Sequence, residues 1–150
     1  MPKSPEEKQL ALFIGRFSPE IARLAHGALA VIRDWLPGAV ELVYDNAYAL
    51  VVGFSPTERP SQALFSVVIY PRKVSLCFLR GVHVPDPEGL LSGGGNLVRF
   101  VRIEDDRTLR KRGIRALIRA ALDDAGNPFE PAQGRRTVVR AISKKQRPRR

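Results

Sequence analysis

Apolar positions recur at three- and four-residue spacing in two stretches of the chain. Ile21, Ala25, Ala28, Leu29, Ile32 and Leu36 make one stripe, and Ile114, Leu117, Ile118, Ala121 and Ala125 make another. That period is helical and predicts one buried face on each helix. The first of these helices should run from Pro19 to about Leu36. Ser18 precedes it as a cap, and Pro37-Gly38 stops it. Ser4-Pro5-Glu6-Glu7 repeats the same start signal, a capping box with proline at the first helical position, and predicts a short helix to about Gly15. The third helix is predicted from about Arg107 to Ala125, capped by Asp105-Asp106 and ended by Gly126-Asn127-Pro128.

Between the second and third helices the period changes. Val40–Tyr44, Tyr48–Phe54, Ala63–Tyr70, Val74–Leu79 and Leu97–Ile103 are rich in β-branched and aromatic residues, the composition of strands. Asp45-Asn46 predicts a tight hairpin, and Pro71-Arg72-Lys73 turns the chain again. Arg80 to Asn96 is a long connection holding Gly81, Gly89, Gly93, Gly94 and Gly95. The predicted class is α+β. An antiparallel meander of about five strands carries two N-terminal helices and one C-terminal helix on one face. One domain over residues 1–133 is expected, followed by a tail over 134–150 in which 137–142 could form one more short strand. The final residues, 143–150, are expected to be mobile.

Charge separates the same two parts. The chain has 150 residues, with 25 basic against 15 acidic and a formal charge of +10. Eight of the basic residues lie from Gly134 onward, with no acid among them, which leaves 17 against 15 in the body. A basic end of this kind attracts polyanions or an acidic partner. The candidate polyanion contacts are Arg135, Arg136, Arg140, Lys144, Lys145 and Arg147 in the tail, with Arg112, Arg115 and Arg119 along the third helix. Eight cations meeting duplex phosphates would give a log–log salt slope near −7. No apolar run reaches the roughly 18 residues of a membrane span, and the first residues have neither a secretory nor a transit pattern. One cysteine, Cys77, permits no internal disulfide and suits a reducing, cytoplasmic setting.

The residues offer little for catalysis. His26 falls off the helical stripe, His83 lies in the glycine-bearing connection, and Cys77 sits in a strand. No nucleophile–base–orienter set can be assembled from them. Two histidines and one cysteine do not make a metal site, and no cofactor is implied. Ser92-Gly93-Gly94-Gly95-Asn96 matches neither nucleotide-binding glycine pattern, and a strand rather than a helix follows it. What it can offer is exposed amides for a small anion, with Arg80, Arg99 and Arg102 nearby in sequence. Tyr44, Asn46 and Tyr48 flank the hairpin and are candidates to line a pocket on the open face of the sheet.

The stretch from Pro37 to about Asp124 resembles the YdhG-like family, small bacterial cytosolic proteins largely without assigned function. The residues that carry the resemblance are Leu36-Pro37-Gly38, Glu41 and Tyr44, then Leu76, Phe78 and Gly81. Asp86-Pro87, Leu90-Leu91, Gly93, Arg99 and the Asp-capped third helix follow. Lys144-Lys145-Gln146-Arg147-Pro148-Arg149 also looks like endings in that group. The resemblance implies a distantly frataxin-like layout and, as one function, an intracellular iron chaperone. Against that role, the Pro19–Leu36 helix carries only Glu20 and Asp34 as acids. The expectation is therefore a non-enzymatic binding module for a small anion, metabolite or acidic partner. Nucleic-acid association through the basic tail is the alternative.

Overall fold

A computed structural model describes residues 3–150 of the chain. Helix α1 spans Pro5–Gly15 and α2 spans Pro19–Trp35. Each starts as its sequence predicts: Ser4 Oγ accepts from Glu7 N at 3.2 Å, and Ser18 Oγ accepts from Ile21 N at 3.3 Å. Six strands follow: β1 Val40–Asp45, β2 Leu50–Ser55, β3 Phe65–Ile69, β4 Val74–Phe78, β5 Arg99–Ile103 and β6 Arg136–Ile142. Helix α3, Arg112–Asp124, lies between β5 and β6. The fold is α+β, with six strands where the pattern predicted about five.

The strands form one sheet in the order β5-β4-β3-β2-β1-β6. The first five make the antiparallel meander, and β6 pairs with β1 in parallel. The parallel pairing follows from the route. The chain leaves β5 at one edge, crosses the covered face as α3, and enters the sheet again beyond β1.

One face of the sheet carries Leu50, Val52, Phe54, Phe65, Val67, Ile69, Val74, Leu76, Phe78, Val101 and Ile103, all buried with the apolar stripes of the three helices. Alternation along the strands places Glu41, Val43 and Asp45 on that same face of β1. Val43 joins the apolar core, while Glu41 and Asp45 are buried carboxylates beside it. The opposite face carries Val40, Leu42, Tyr44, Val51, Gly53, Ser55, Ser66, Val68, Ser75, Cys77, Phe100 and Arg102. Among the described residues no helix packs over it, though Val40, Leu42 and Ser55 are buried there, apart from the main core.

Two glycines are needed where the chain approaches itself. Gly38, just past α2, has φ +86°, and a side chain there would run into the backbone of Glu130 and Gln133. Gly81 opens a 3-10 turn, 81–83, that lies against Arg99 so closely that an added Cβ would sit 2.5 Å from the arginine's own.

Three local expectations change. The hairpin is wider than Asp45-Asn46. Asn46 N donates to Ala49 O at 3.0 Å, so Tyr48 belongs to the turn and β2 begins at Leu50. The third helix starts at Arg112, not Arg107. Thr108 Oγ1 accepts from the amides of Glu104 and Asp105, and Asp105 Oδ1 accepts from Arg107 N. Those bonds fold 104–110 into a turn of its own before the helix can begin. The end of the chain is also packed. β6 lies in the sheet, and Arg149 is only 5% exposed. The expectation of a mobile terminus gives way because Asp45, buried on β1, draws that arginine inward.

Candidate functional site

The carboxylates of β1 gather four arginines from distant parts of the chain. Glu41 accepts from Arg33 Nε and Nη2, both at 2.8 Å, and from Arg135 Nη1 at 3.1 Å. Burial works against the Arg33 charge, but the hydrogen bonds and charge of Glu41, with Glu7 behind it, more than offset that and raise its pKa. Arg135 also reaches Glu7 at 3.7 Å, so the Glu7 carboxylate, expected to complete a capping box with Ser4, faces the tail instead, and only the Ser4 half of the box is seen. Asp45 is 1% exposed. Its Oδ1 accepts from Arg16 Nη2 at 3.0 Å and from Arg149 Nη2 at 2.9 Å. Buried acids at this density need paired cations, and these arginines supply them.

The C-terminal segment is fastened around Asp45 by backbone as well as charge. Ser143 N donates to Asp45 O, and Arg147 N donates to Ala47 O, each at 2.8 Å. Gln146 Nε2 donates to Asp45 O at 2.9 Å, while its Oε1 accepts from Arg16 Nη2 at 2.7 Å. Arg149 also donates to Asn46 O and lies over the Phe17 ring at 5.5 Å. The guanidinium of Arg147 lies 5.4 Å over the Tyr48 ring. A cleft of about 490 Å³ opens beside this clasp, walled by Arg16, Ile142, Ser143, Lys144, Gln146, Arg147, Pro148 and Arg149.

A second cationic surface lies on α3. Arg112, Arg115 and Arg119 share one face of the helix, and Arg110 precedes them. With Ala116, Ala120 and Asp123 they wall an open groove of about 790 Å³. Among the described residues, none of these four arginines has a carboxylate within ion-pairing distance. Arg115 lies 5.7 Å over the ring of Trp35, at the end of α2. Like charges at helical spacing repel, each pair costing an isolated helix about 0.2–0.5 kcal/mol. The face is thus a surface that gains from an anion.

The remaining sequence candidates do not converge. Arg99 faces the helix side of the sheet and donates to Gly95 O at 2.6 Å and Val98 O at 2.9 Å. It holds the glycine connection in shape, with Gly93 closely packed against it and Gly94 in open space. A bridge between Ser92 and Phe100 closes that connection. Arg102 is exposed on the opposite face of β5. Tyr44 lies on the same open face as Arg102, in the same cross-strand row, but four strand spacings away, about 19 Å. Asn46 and Tyr48 lie in the hairpin turn and face the C-terminal segment. Arg80 lines a separate cleft of about 540 Å³ with Pro60, Leu64, Leu79, Leu97 and Ala125. In the tail, Arg136 pairs with Glu58 at 2.8 Å, while Arg140, Lys144, Lys145 and Arg147 stay exposed.

His26, Asp34, Asp105 and Asp106 line a cleft of about 560 Å³ between α2 and the β5–α3 connection, shared with Arg23 and Arg110. His26 itself stays exposed at the rim, yet partial desolvation there, with the charges of Lys3 and Arg33, lowers its pKa. His83 is exposed in its 3-10 turn. Cys77 pairs across the sheet with Ser66 and Phe100. Burial raises its thiol pKa against an opposing hydrogen bond with Ser66. Among the described residues, no three His, Cys, Asp or Glu side chains are grouped to hold a metal ion. No helix among them is long and apolar enough to cross a membrane.

Sequence reasoning overlooked Arg16, Glu41, Asp45, Gln146, Arg149 and Arg110 as partners in these surfaces. A signal was present: in Val40-Glu41-Leu42-Val43-Tyr44-Asp45, the two acids share the parity of Val43. Acids on the core side of a strand require cations from elsewhere in the chain. Comparison with protein-family models, curated proteins and solved structures finds no match to this chain.

Proposed function

We propose that this protein is a non-enzymatic binding module that docks the phosphate backbone of a nucleic acid on the arginine face of α3. The observation that carries this reading is the set of four unpaired guanidiniums, Arg110, Arg112, Arg115 and Arg119, on one open groove. Arg112 to Arg119 spans about 10 Å along the helix at 1.5 Å per residue. A duplex presents one phosphate charge per roughly 1.7 Å of its axis, so such a row meets several at once. Planar guanidiniums also match phosphate oxygens two at a time.

This placement moves the polyanion surface away from the tail. Arg135, Arg136 and Arg149 are engaged with Glu41, Glu58 and Asp45. Arg140, Lys144 and Lys145 can add only general attraction. Four arginines give an expected salt slope near −4 on duplex DNA, well below the −7 of eight cations. Backbone contacts of this kind carry no base sequence. An iron-chaperone role gains no support from α2, which places Glu20 and Asp34 about 21 Å apart along its axis.

The test is titration of the full chain with a short DNA duplex at several salt concentrations. Trp35, the one tryptophan, lies beneath Arg115 and reports the contact by fluorescence. Replacing Arg110, Arg112, Arg115 and Arg119 together by alanine should abolish most binding while leaving the helical circular dichroism intact. A salt-independent affinity, or unchanged binding in that variant, refutes the reading. Equal binding to polyglutamate counts for an acidic protein partner instead.

A further inference from the structure

We infer that the cleft beside the C-terminal clasp is a separate site for a phosphate-class oxyanion. Four cations, Arg16, Lys144, Arg147 and Arg149, line it, and no acidic side chain does. The carboxylate of Asp45 behind the wall answers one of those charges, held by Arg16 and Arg149. The surplus of three suits a dianion better than a single carboxylate.

The second observation is on Arg149 itself. Its side chain is 4% exposed, yet only Nη2 has acceptors, Asp45 and Asn46. Nε and Nη1 are buried with no hydrogen-bond partner. Buried guanidinium N–H groups are almost always paired, so two orphans on a side chain that lines a cationic cleft, sealed from water just behind it, leave an unmet demand for an acceptor there. Phe17 covers the flat face of this guanidinium and offers it no in-plane acceptor.

The site is also held in shape before any anion arrives. Gln146 is fixed at both ends, by Arg16 and by the Asp45 carbonyl. Arg147 is held by its own amide on Ala47 O and by the ring of Tyr48. Little side-chain freedom remains to be lost on binding. The volume, about 490 Å³, admits a phosphate monoester as well as the free ion. The site is built from Arg16, just past α1, the end of β6 and the C-terminal segment, and shares no residue with the α3 groove.

The experiment uses the full chain with inorganic phosphate, against chloride at matched ionic strength. At tenfold excess over the dissociation constant, the melting temperature should rise by about 3–6 °C. The Nε–H resonance of Arg149 should shift on the same titration. Lys144 and Arg147 are exposed, so the double variant Lys144→Ala/Arg147→Ala leaves the Arg149–Asp45 pair in place. It should melt normally in chloride and lose the phosphate increment. The four-alanine variant of α3 should keep it, which separates this inference from the proposed nucleic-acid surface. A single-stranded oligonucleotide with and without a 5′-phosphate distinguishes the sources: a gain from the terminal group marks an ester ligand, and response to inorganic phosphate alone marks the free ion. An increment that survives in Lys144→Ala/Arg147→Ala, one that is lost with the α3 arginines, or an unmoved Arg149 resonance overturns the assignment.

Discussion

The pair Asp45–Arg149 should respond unequally to loss of its two members. Asp45→Asn removes the one carboxylate facing both Arg16 and Arg149 and puts an amide donor beside their N–H groups. Arg149, with its side chain 4% exposed, then keeps a buried charge with no counterion. Breaking a buried pair in this way costs about 3–5 kcal/mol. Arg149→Leu is milder. Asp45 keeps Arg16, whose Nη2 reaches both carboxylate oxygens at 3.0 and 3.1 Å, and a leucine can still pack on Phe17. The change also removes two buried donors that have no partner, each of which costs about 1–3 kcal/mol where it stands. The expected net loss is about 0–2 kcal/mol, at least roughly 1 kcal/mol less than for Asp45→Asn. For a chain of this size each kcal/mol moves the melting temperature by about 2–4 °C. Asp45→Asn should thus lower it by roughly 6–20 °C and Arg149→Leu by less than about 8 °C. The assay is urea unfolding followed by Trp35 fluorescence, in chloride buffer without phosphate. Equal losses for the two variants, or losses below about 1 kcal/mol for both, would falsify the account of a buried, clasped terminus.

Further consequences follow from neighbouring features. Glu41→Gln should cost about 2–4 kcal/mol in the same assay, since Arg33 and Arg135 both lose their carboxylate, with partial relief because both can turn toward solvent. Gly38→Ala should cost about 2–4 kcal/mol, from the φ of +86° and the displaced backbone at Glu130; a loss under about 1 kcal/mol would mean that the 130–133 loop yields freely. The lowered pKa of His26 means that the folded chain holds its imidazole neutral where the unfolded chain has begun to protonate it. Its contribution is therefore present above the ordinary value of 6.5 and is lost as pH falls toward the lowered folded value. Because His26 is exposed, the effect is small: His26→Gln should flatten the stability profile slightly just below pH 6.5, and an unchanged slope there would refute the partial desolvation of the imidazole.

Local chemistry was legible wherever one residue type has one dominant use. Ser4 and Ser18 ahead of proline mark the two helix starts, and Pro37-Gly38 marks the stop, because caps and breakers act within a few residues. The strands of the meander were legible from their β-branched and aromatic composition, and their order followed because a meander pairs neighbours in sequence. Asp105-Asp106 misled because Asp105 serves a turn instead of the helix. Its carboxylate accepts from Arg107 N while Thr108 Oγ1 takes the amides of Glu104 and Asp105, and a nearby hydroxyl of this kind can fold the segment into a turn before a helix starts. Arg99 and Arg102 are three apart in sequence, yet they face opposite sides of β5. Proximity along a strand does not bring side chains together.

The sequence alone determined that this is an α+β chain with three helices, two of them amphipathic, a meander, and an excess of cations toward its end. Those properties depend on spacing and composition, which are local. Where the cations go was decided by tertiary structure. Asp45 resembles a turn residue until β6 and the C-terminal segment close over it from about a hundred residues away. Only then does it become a buried acid that requires Arg149. The same closure commits part of the basic tail to the interior and leaves α3 with the unpaired arginines, because a buried carboxylate holds its cation far more strongly than solvent-exposed charges attract one another.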